Sequence, residues 1–273
     1  MPDGAQGRRE IRDLLAAHDH HPNKDFGQNF LTDPNIVRRI VSLADVVGRD
    51  VVEIGAGTGT LTLELAAVAR RVVTYEVDAN LAPILTETLA GAMNVDVRFE
   101  DASRVDLATV LRGSPWVMVA NLPYNVGTGI VLDALRMAPA IDRIVAMVQR
   151  EVGDRLRADP GSKVYGWPSV VAGLHATGRR AFTVPPQVFE PRPRVDSVVV
   201  VLDRIAADPD AERAIEIAAV AFGQRRKMLR RSLAAFVDDA ETWCERAGVD
   251  PTARAEQLAP ADYVALARAE GSA

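Results

Sequence analysis

The sequence predicts a doubly wound α/β fold, a parallel sheet with helices on both faces, followed by a small all-helical segment. Three observations carry this. Short apolar runs at Val51–Ile54, Val72–Tyr75, Val95–Phe99, Val117–Ala120 and Ile144–Val148 recur roughly every 20 to 27 residues, with helical segments between them. The runs are rich in β-branched residues, as expected of parallel strands covered on both faces. Polar residues (Glu76, Asp101, Asn121, Gln149) close four of the five runs. Right-handed crossovers bring these carboxyl ends to one edge, where ligands bind in open α/β sheets.

Composition narrows the function classes. At 273 residues and 48% hydrophobic, the chain can bury a full core and form one large domain or two. No apolar run reaches the roughly 18–20 residues of a membrane span, and Met-Pro-Asp-Gly-Ala-Gln has no signal-peptide apolar segment. A single cysteine, Cys244, rules out an internal disulfide and a cysteine metal cluster, so a cytoplasmic protein without a metal is expected. A net charge of −5 argues weakly against nucleic acid, but the local distribution of charge matters more than the sum.

Residues 1–25 are predicted to be an N-terminal arm, either a short helix around Ile11, Leu14 and Leu15 or a loose tail. His18, His20 and His21 fit solvated imidazoles on that tail better than a metal site. Phe26-Gly27-Gln28-Asn29-Phe30-Leu31 follows; a Gln-Asn pair between two phenylalanines suggests a ligand role rather than a hydrophobic staple. Asp33-Pro34 then caps and opens a helix that buries Ile36, Val37, Ile40 and Val41.

After Glu53 the chain reads Gly55-Ala56-Gly57-Thr58-Gly59, whose glycines let backbone approach a ligand and turn into a helix over residues 61–69. The spacing is G-x-G-x-G, not the G-x-G-x-x-G that seats a dinucleotide pyrophosphate, so it suits a loop beside an amino-acid tail. Glu76 is placed to accept two ribose hydroxyls and Asp101 an adenine amine. Each signal is weak alone; in register on consecutive strands they are strong.

Asn121-Leu122-Pro123-Tyr124 is the most specific stretch. Pro123 stops the ladder and pushes Leu122 to an extended conformation. The Asn121 side-chain oxygen and the Leu122 carbonyl can each accept one N–H of a nucleobase amine, which frees its delocalised lone pair for an electrophile. Tyr124 offers a stacking face, worth roughly 1–3 kcal/mol. The plain alternative is a proline turn closing a strand.

Gln149–Val152 opens a helix carrying Arg155 and Arg157. Ser169–Thr177 and Ala181–Val184 are expected to pair as strands. Pro185–Arg194 holds four prolines within Pro185–Pro193, a stiff loop that either aims Phe189 at the crevice opposite Tyr124 or buries it as core. Ser197–Leu202 reads as a buried last strand. The expected domains are 26–205 and, after a hinge at residues 206–210, a helical 206–273. Within the latter, Phe222, Leu229, Leu233 and Phe236 fall on one helical face, and Arg225, Arg226, Lys227, Arg230 and Arg231 make that helix a phosphate-backbone candidate.

With these residues in view, the chain resembles the ribosomal-RNA adenine dimethyltransferases of the KsgA type. The resemblance runs from about Phe26 to Ala267 and rests on Phe-Gly-Gln-Asn-Phe-Leu, Glu-Ile-Gly-x-Gly, Asn-Leu-Pro-Tyr-Asn, Gln-Arg-Glu-Val, Phe-x-Pro-x-Pro-x-Val-x-Ser and, most discriminating, Gln224–Leu233 and Gly248–Leu258. It implies a Rossmann-like S-adenosylmethionine methyltransferase acting on two adjacent adenosines near the 3′ end of 16S rRNA in the immature small ribosomal subunit, working as a monomer. Asn29, Leu31, Gly55, Glu76, Asp101 and Asn121 are implied to line the methyl-donor pocket, with Gly57 in the same loop. Asn121–Tyr124 are implied to grip the adenine and Phe189 to close its other side. The chain departs from the family pattern at Gly127-Thr128-Gly129, Asp25 and Trp167-Pro168, none of which removes a catalytic group. An RNA-docked assembly factor with little turnover and a DNA adenine methyltransferase are the competing readings. Intact acidic and Asn-Leu-Pro-Tyr motifs weigh against the first, and no extra target-recognition segment supports the second.

Overall fold

The computed structural model describes residues 5–113, 115–123 and 126–270. They divide into two compact units: residues up to Gly153 with Arg179–Asp203, and Asp154–Gly178 with the residues from Arg204 on.

The strands are β1 (Phe30–Leu31), β2 (Asp50–Ile54), β3 (Arg71–Tyr75), β4 (Val95–Arg98), β5 (Trp116–Asn121), β6 (Ile141–Gln149), β7 (Ala176–Val184), β8 (Phe189–Glu190) and β9 (Ser197–Arg204). Seven form one sheet in the order β4-β3-β2-β5-β6-β9-β7, while β1 and β8 make a separate antiparallel pair. The five predicted strands are mutually parallel, and β9 runs antiparallel to β6, so the sheet is mixed at that side. From β2 the chain winds outward through β3 and β4, then returns to β5 on the other flank of β2. That reversal sets a crevice between the carboxyl ends of β2 and β5.

Both faces of the central strands are covered, which explains their unbroken β-branched composition. On one face Val51, Val117, Val119, Val145, Val199 and Val201 pack with Val37 and Ile40 of the helix Pro34–Ala44 and Leu61 and Leu65 of the helix Thr60–Ala66. Each such valine or leucine contributes roughly 1.5–3 kcal/mol by leaving water. As predicted, Asp33 caps Pro34–Ala44, accepting the Asn35 N–H at 2.9 Å.

Where the helix Arg150–Leu156 begins, its backbone lies so close to β9 that a Cβ on Gly153 would sit 2.3 Å from Val198 Cγ2 and 3.1 Å from Val200 Cγ1. Alanine gains about 1 kcal/mol of helix propensity over glycine, yet overpacking against two buried β-branched side chains outweighs it. Gly153→Ala is therefore expected to destabilise the protein by about 2 kcal/mol, read as a lower urea midpoint at unchanged slope. A midpoint at or above wild type would show that β9 yields.

The described part of the N-terminal arm is not a loose tail. The helix Arg8–Ala17 buries Ile11, Leu14 and Leu15 against Leu81, Ile84 and Leu85. Two of the three histidines expected to be solvated are pulled in with it: His18 Nε2 lies 2.8 Å from Glu87 Oε2, and the His20 side chain is only 6% exposed, 3.9 Å from Asp78 Oδ2, while His21 is exposed as expected.

Two further expectations are corrected. Most of Ser169–Thr177 is not strand: Trp167–His175 is a helix, with Pro168 in its first turn and Ser169 Oγ accepting the Gly166 N–H at 3.1 Å, and β7 begins only at Ala176. Its Val170, Val171, Ala172 and Leu174 are all buried, so no polar face marked the helical period. Nor is residues 222–236 one helix. Ala211–Gly223 ends at its glycine, residues 224–227 turn, and a four-residue helix Leu229–Ser232 follows. The break is enforced by tertiary bonding: Met228 bridges to Arg254, and the Leu229 and Arg230 N–H groups donate to the carbonyls of Ala253 at 2.8 Å and Pro251 at 3.0 Å.

Inside the second unit Tyr165 and Tyr263 bury their hydroxyls on the carbonyls of Leu258 and Ala255, and Trp243 Nε1 donates to Leu266. The expected division at 205/206 thus differs from the contacts, which group Asp154–Gly178 with the C-terminal helices and the N-terminal arm with the sheet. Among the described residues no helix is long and apolar enough to cross a membrane.

Candidate active site

A crevice of about 250 Å³ opens at the switch point, inside the first unit. Six stretches of the chain contribute lining residues. After β2, Gly55, Gly57 and Gly59 have φ of +85°, +56° and +82°, the left-handed region that any side chain would strain. Gly57 has a second reason to lack a side chain, since a Cβ there would lie 3.1 Å from the Phe30 ring. The loop is thereby held flat, with Gly55 beside the Asn121 backbone across the β2–β5 gap.

Glu76, closing β3, is 5% exposed and takes backbone N–H groups on both oxygens: Gly57 on Oε2 at 2.8 Å and Asp78 on Oε1 at 3.0 Å. Burial pushes its carboxyl above the ordinary range, against the pull of these two bonds. A carboxylate has about four acceptor sites, so lone pairs remain for hydroxyls of a ligand entering the crevice. Asp78 links Glu76 to the N-terminal segment: its Oδ2 accepts Gln28 Nε2 at 2.8 Å. Neither Asp78 nor this role of Gln28 was singled out from sequence; the available signal was an acid two residues past a strand-end acid.

Asp101, after β4, also lines the crevice. Its Oδ1 accepts the Ser103 hydroxyl at 2.7 Å and the Ser103 N–H at 3.0 Å, and these bonds hold its carboxyl below the usual range. Glu100, Ala102 and Ser103 complete this wall, and Tyr75, Val77, Val126 and Ile130 add lining the sequence reading missed. Tyr75 and Val77 flank the end of a predicted strand, whereas Val126 and Ile130 lie before and within the helix Gly127–Met137, in positions whose facing only the fold decides.

At the end of β5, Asn121 Nδ2 donates to the Asn29 carbonyl at 3.2 Å, which leaves Oδ1, without a partner among the described residues, as the acceptor end of the amide. Leu122 donates its N–H to the Met147 carbonyl, and the Pro123 carbonyl accepts from Gly127, so the backbone of the motif is fixed at both neighbours. Gly127 itself packs tightly: a Cβ would meet Leu122 Cβ at 3.1 Å. Tyr124 lies outside the described residues. Phe189 lines the crevice, is 1% exposed and packs in the same core cluster as Val37 and Val119.

Asn29, Gly55, Gly57, Glu76, Asp101, Asn121, Leu122, Pro123 and Phe189 are thus brought to one cavity. Leu31 is not. The β1 strand alternates, so Phe30 faces the crevice while Leu31 packs into the core with Val37 and Val119. Asp25, noted as a departure, is exposed at the rim.

The basic cluster belongs to the second unit and lies on a turn and a short helix. Arg225 is engaged by Glu256 and by the Lys163 carbonyl, and half-buried Arg230 pairs with Glu241 at 3.2 Å. Arg226, Lys227 and Arg231 are exposed with no carboxylate partner among the described residues.

Comparison with known proteins agrees with this geometry. Residues 19–269 match the model of the ribosomal RNA adenine dimethylase family. The ribosomal RNA small subunit methyltransferase A of Corynebacterium jeikeium is 43% identical, over 96% of this chain and 94% of that protein. The protein of the same name from Nocardia farcinica is 46% identical over the same shares. Among solved structures, the 23S rRNA methyltransferase ErmE superposes with a TM-score of 0.69 at 28% identity, covering 88% of this chain and 99% of that one. A dimethyladenosine transferase from Plasmodium falciparum shares the fold at a TM-score of 0.73 and 22% identity, covering 87% and 95%. The chain belongs to the ribosomal RNA adenine dimethylase family.

Proposed function

We propose that this protein transfers methyl groups from S-adenosylmethionine to N6 of two adjacent adenosines near the 3′ end of 16S rRNA, in the immature small ribosomal subunit, as a cytoplasmic monomer. The observation that carries the reading is the placement of the Asn121 amide, oriented by Asn29 and next to the left-handed glycine loop, in the crevice that also holds Glu76.

S-adenosylmethionine supplies an electrophilic sulfonium methyl when bound. The residues suited to hold it are Asn29, Gly55, Gly57, Glu76 and Asp101: flat backbone for the amino-acid end, a buried carboxylate for ribose hydroxyls, and an accessible one for the adenine amine. The target adenosine enters splayed from its strand, since enzymes that act on a base take it out of the stack. Asn121 Oδ1 and the Leu122 carbonyl accept its two N6 hydrogens, so the nitrogen lone pair is directed into the crevice. Phe189 and Tyr124 are assigned to the faces of the base. The nitrogen becomes cationic on methylation and loses a proton readily, so catalysis comes from positioning and from these two oxygen dipoles.

The test is transfer of labelled methyl to immature small subunits, with large subunits and duplex DNA in parallel. Label recovered as N6,N6-dimethyladenosine in small-subunit RNA alone is expected. No label on any substrate, with tight subunit binding, would make the protein a docking factor.

Arg226, Lys227 and Arg231 are assigned to RNA phosphates, with Arg225 and Arg230 beside them. Reversing charge at Lys227 and Arg231 is expected to lower the slope of log affinity against log salt by about 1.4–1.8, at roughly 0.7–0.9 per phosphate contact. An unchanged slope would place RNA elsewhere.

A further inference from the structure

The loop that follows Phe189 carries charge that neither the crevice nor the fold uses. Its two ends are tied down. Glu190 pairs with Arg12 at 2.7 Å and Arg8 at 3.2 Å, while β8 is bonded to β1. At the far end the Asp196 carbonyl accepts the Arg150 N–H at 3.1 Å, where β9 begins. Between these anchors Pro191 and Pro193 fix φ. Arg192 and Arg194 alternate with them, both exposed and with no carboxylate partner among the described residues. Of the two acids flanking the pair, Glu190 is already neutralised from the helix Arg8–Ala17, and Asp196 makes no ion pair with either arginine among the described residues, so the loop presents two guanidinium groups free of carboxylate contacts on a stiff support. Only Glu190 and Pro191 separate Arg192 from Phe189 in the crevice wall.

An isolated arginine on a mobile loop is ordinary solvated surface. Two of them on a doubly anchored, proline-stiffened loop beside a nucleobase crevice lose little further freedom on binding a polyanion. Guanidinium groups match phosphate oxygens in a bidentate fashion. We infer that Arg192 and Arg194 form a phosphate clamp for the RNA strand flanking the target adenosine, on the catalytic unit itself and separate from the basic cluster of the second unit. The inference rests on the methyltransferase reading above. The partner is the RNA backbone, so the clamp positions substrate without reading sequence.

The experiment uses the full chain as Arg192→Ala/Arg194→Ala and Arg192→Lys/Arg194→Lys. Affinity for immature small subunits is measured against salt without donor, and steady-state methyl transfer is measured with it. For the alanine pair we expect the salt slope to fall by about 1.4–1.8, KM for subunits to rise about 10-fold, and kcat and S-adenosylmethionine affinity to stay within two-fold. The lysine pair should restore most of the slope. An alanine pair with wild-type slope and KM overturns the clamp, as does a loss confined to kcat or to donor affinity. Wild-type protein that transfers no methyl to small subunits defeats the functional reading instead; the salt slope, read without donor, still decides the clamp.

Discussion

Asn121→Ala is expected to lower single-turnover methyl transfer to small-subunit RNA by about 10²–10³-fold, the usual cost of deleting one preorganised polar group at a developing charge. The amide is well placed for such a cost. It stands at the end of β5, whose Val117, Met118, Val119 and Ala120 are at most 1% exposed, so its backbone cannot drift to compensate. Its orientation is set by one bond, Nδ2 to the Asn29 carbonyl. Asn121→Asp tests that bond: an acceptor remains, but the donor to Asn29 is replaced by a charge facing a carbonyl, and activity should fall to an intermediate level. Donor affinity, measured by calorimetry, should change no more than a few-fold in either variant, because the glycine loop and Glu76 are untouched. A donor affinity that falls in step with the rate would recast Asn121 as a cofactor ligand only. Near-wild-type turnover in the alanine variant would remove the mechanism.

What could be read from sequence, and what could not, follows from how local each feature is. The central strands were legible because burial on both faces leaves an unbroken run such as Val117–Ala120, and their polar termini share an edge by topology alone. The same logic failed for Trp167–His175. A helix buried all round also shows an unbroken apolar run, and Val170-Val171 favoured the strand. The basic segment was misread for a different reason. Its apolar spacing does fit a helix, but hydrogen bonds from Leu229 and Arg230 to residues more than twenty positions away bend it after Gly223. Leu31 and His20 were decided by neighbours that no local pattern reports: β8 on one side, Asp78 on the other. Grouping Asp154–Gly178 with the C-terminal helices needs contacts across the chain, such as Trp167 Nε1 to the Ile215 carbonyl at 3.1 Å.

Glu53→Gln is expected to make the protein more stable at pH 8, and not at pH 4.5. Glu53 lies on β2 with 0% exposure, and its carboxyl is pushed up to about 7 from 4.5, mainly by burial. Thr62 Oγ1, donating to Oε2 at 2.6 Å, offsets only part of the lost hydration, and the nearby Glu76 charge adds to the shift. The sign follows from proton counting. Between pH 4.5 and about 7 the folded protein holds a proton on Glu53 that the unfolded chain has released, so stability falls as pH rises through that window and levels off above it. A rise of about 2.5 units, at about 1.36 kcal/mol each, is a loss of about 3 kcal/mol. Glutamine keeps the shape and an oxygen for Thr62 while ending the titration. Urea midpoints at pH 4.5, 6 and 8 should therefore show the variant level where wild type declines, with the two curves meeting at the acid end. If wild type shows no decline between pH 5 and 7.5, or the variant declines with it, Glu53 is solvated or paired in solution. Were the slope confirmed, Glu53 would be a buried carboxylate that costs the fold stability at neutral pH, a cost that its packing on β2 does not explain.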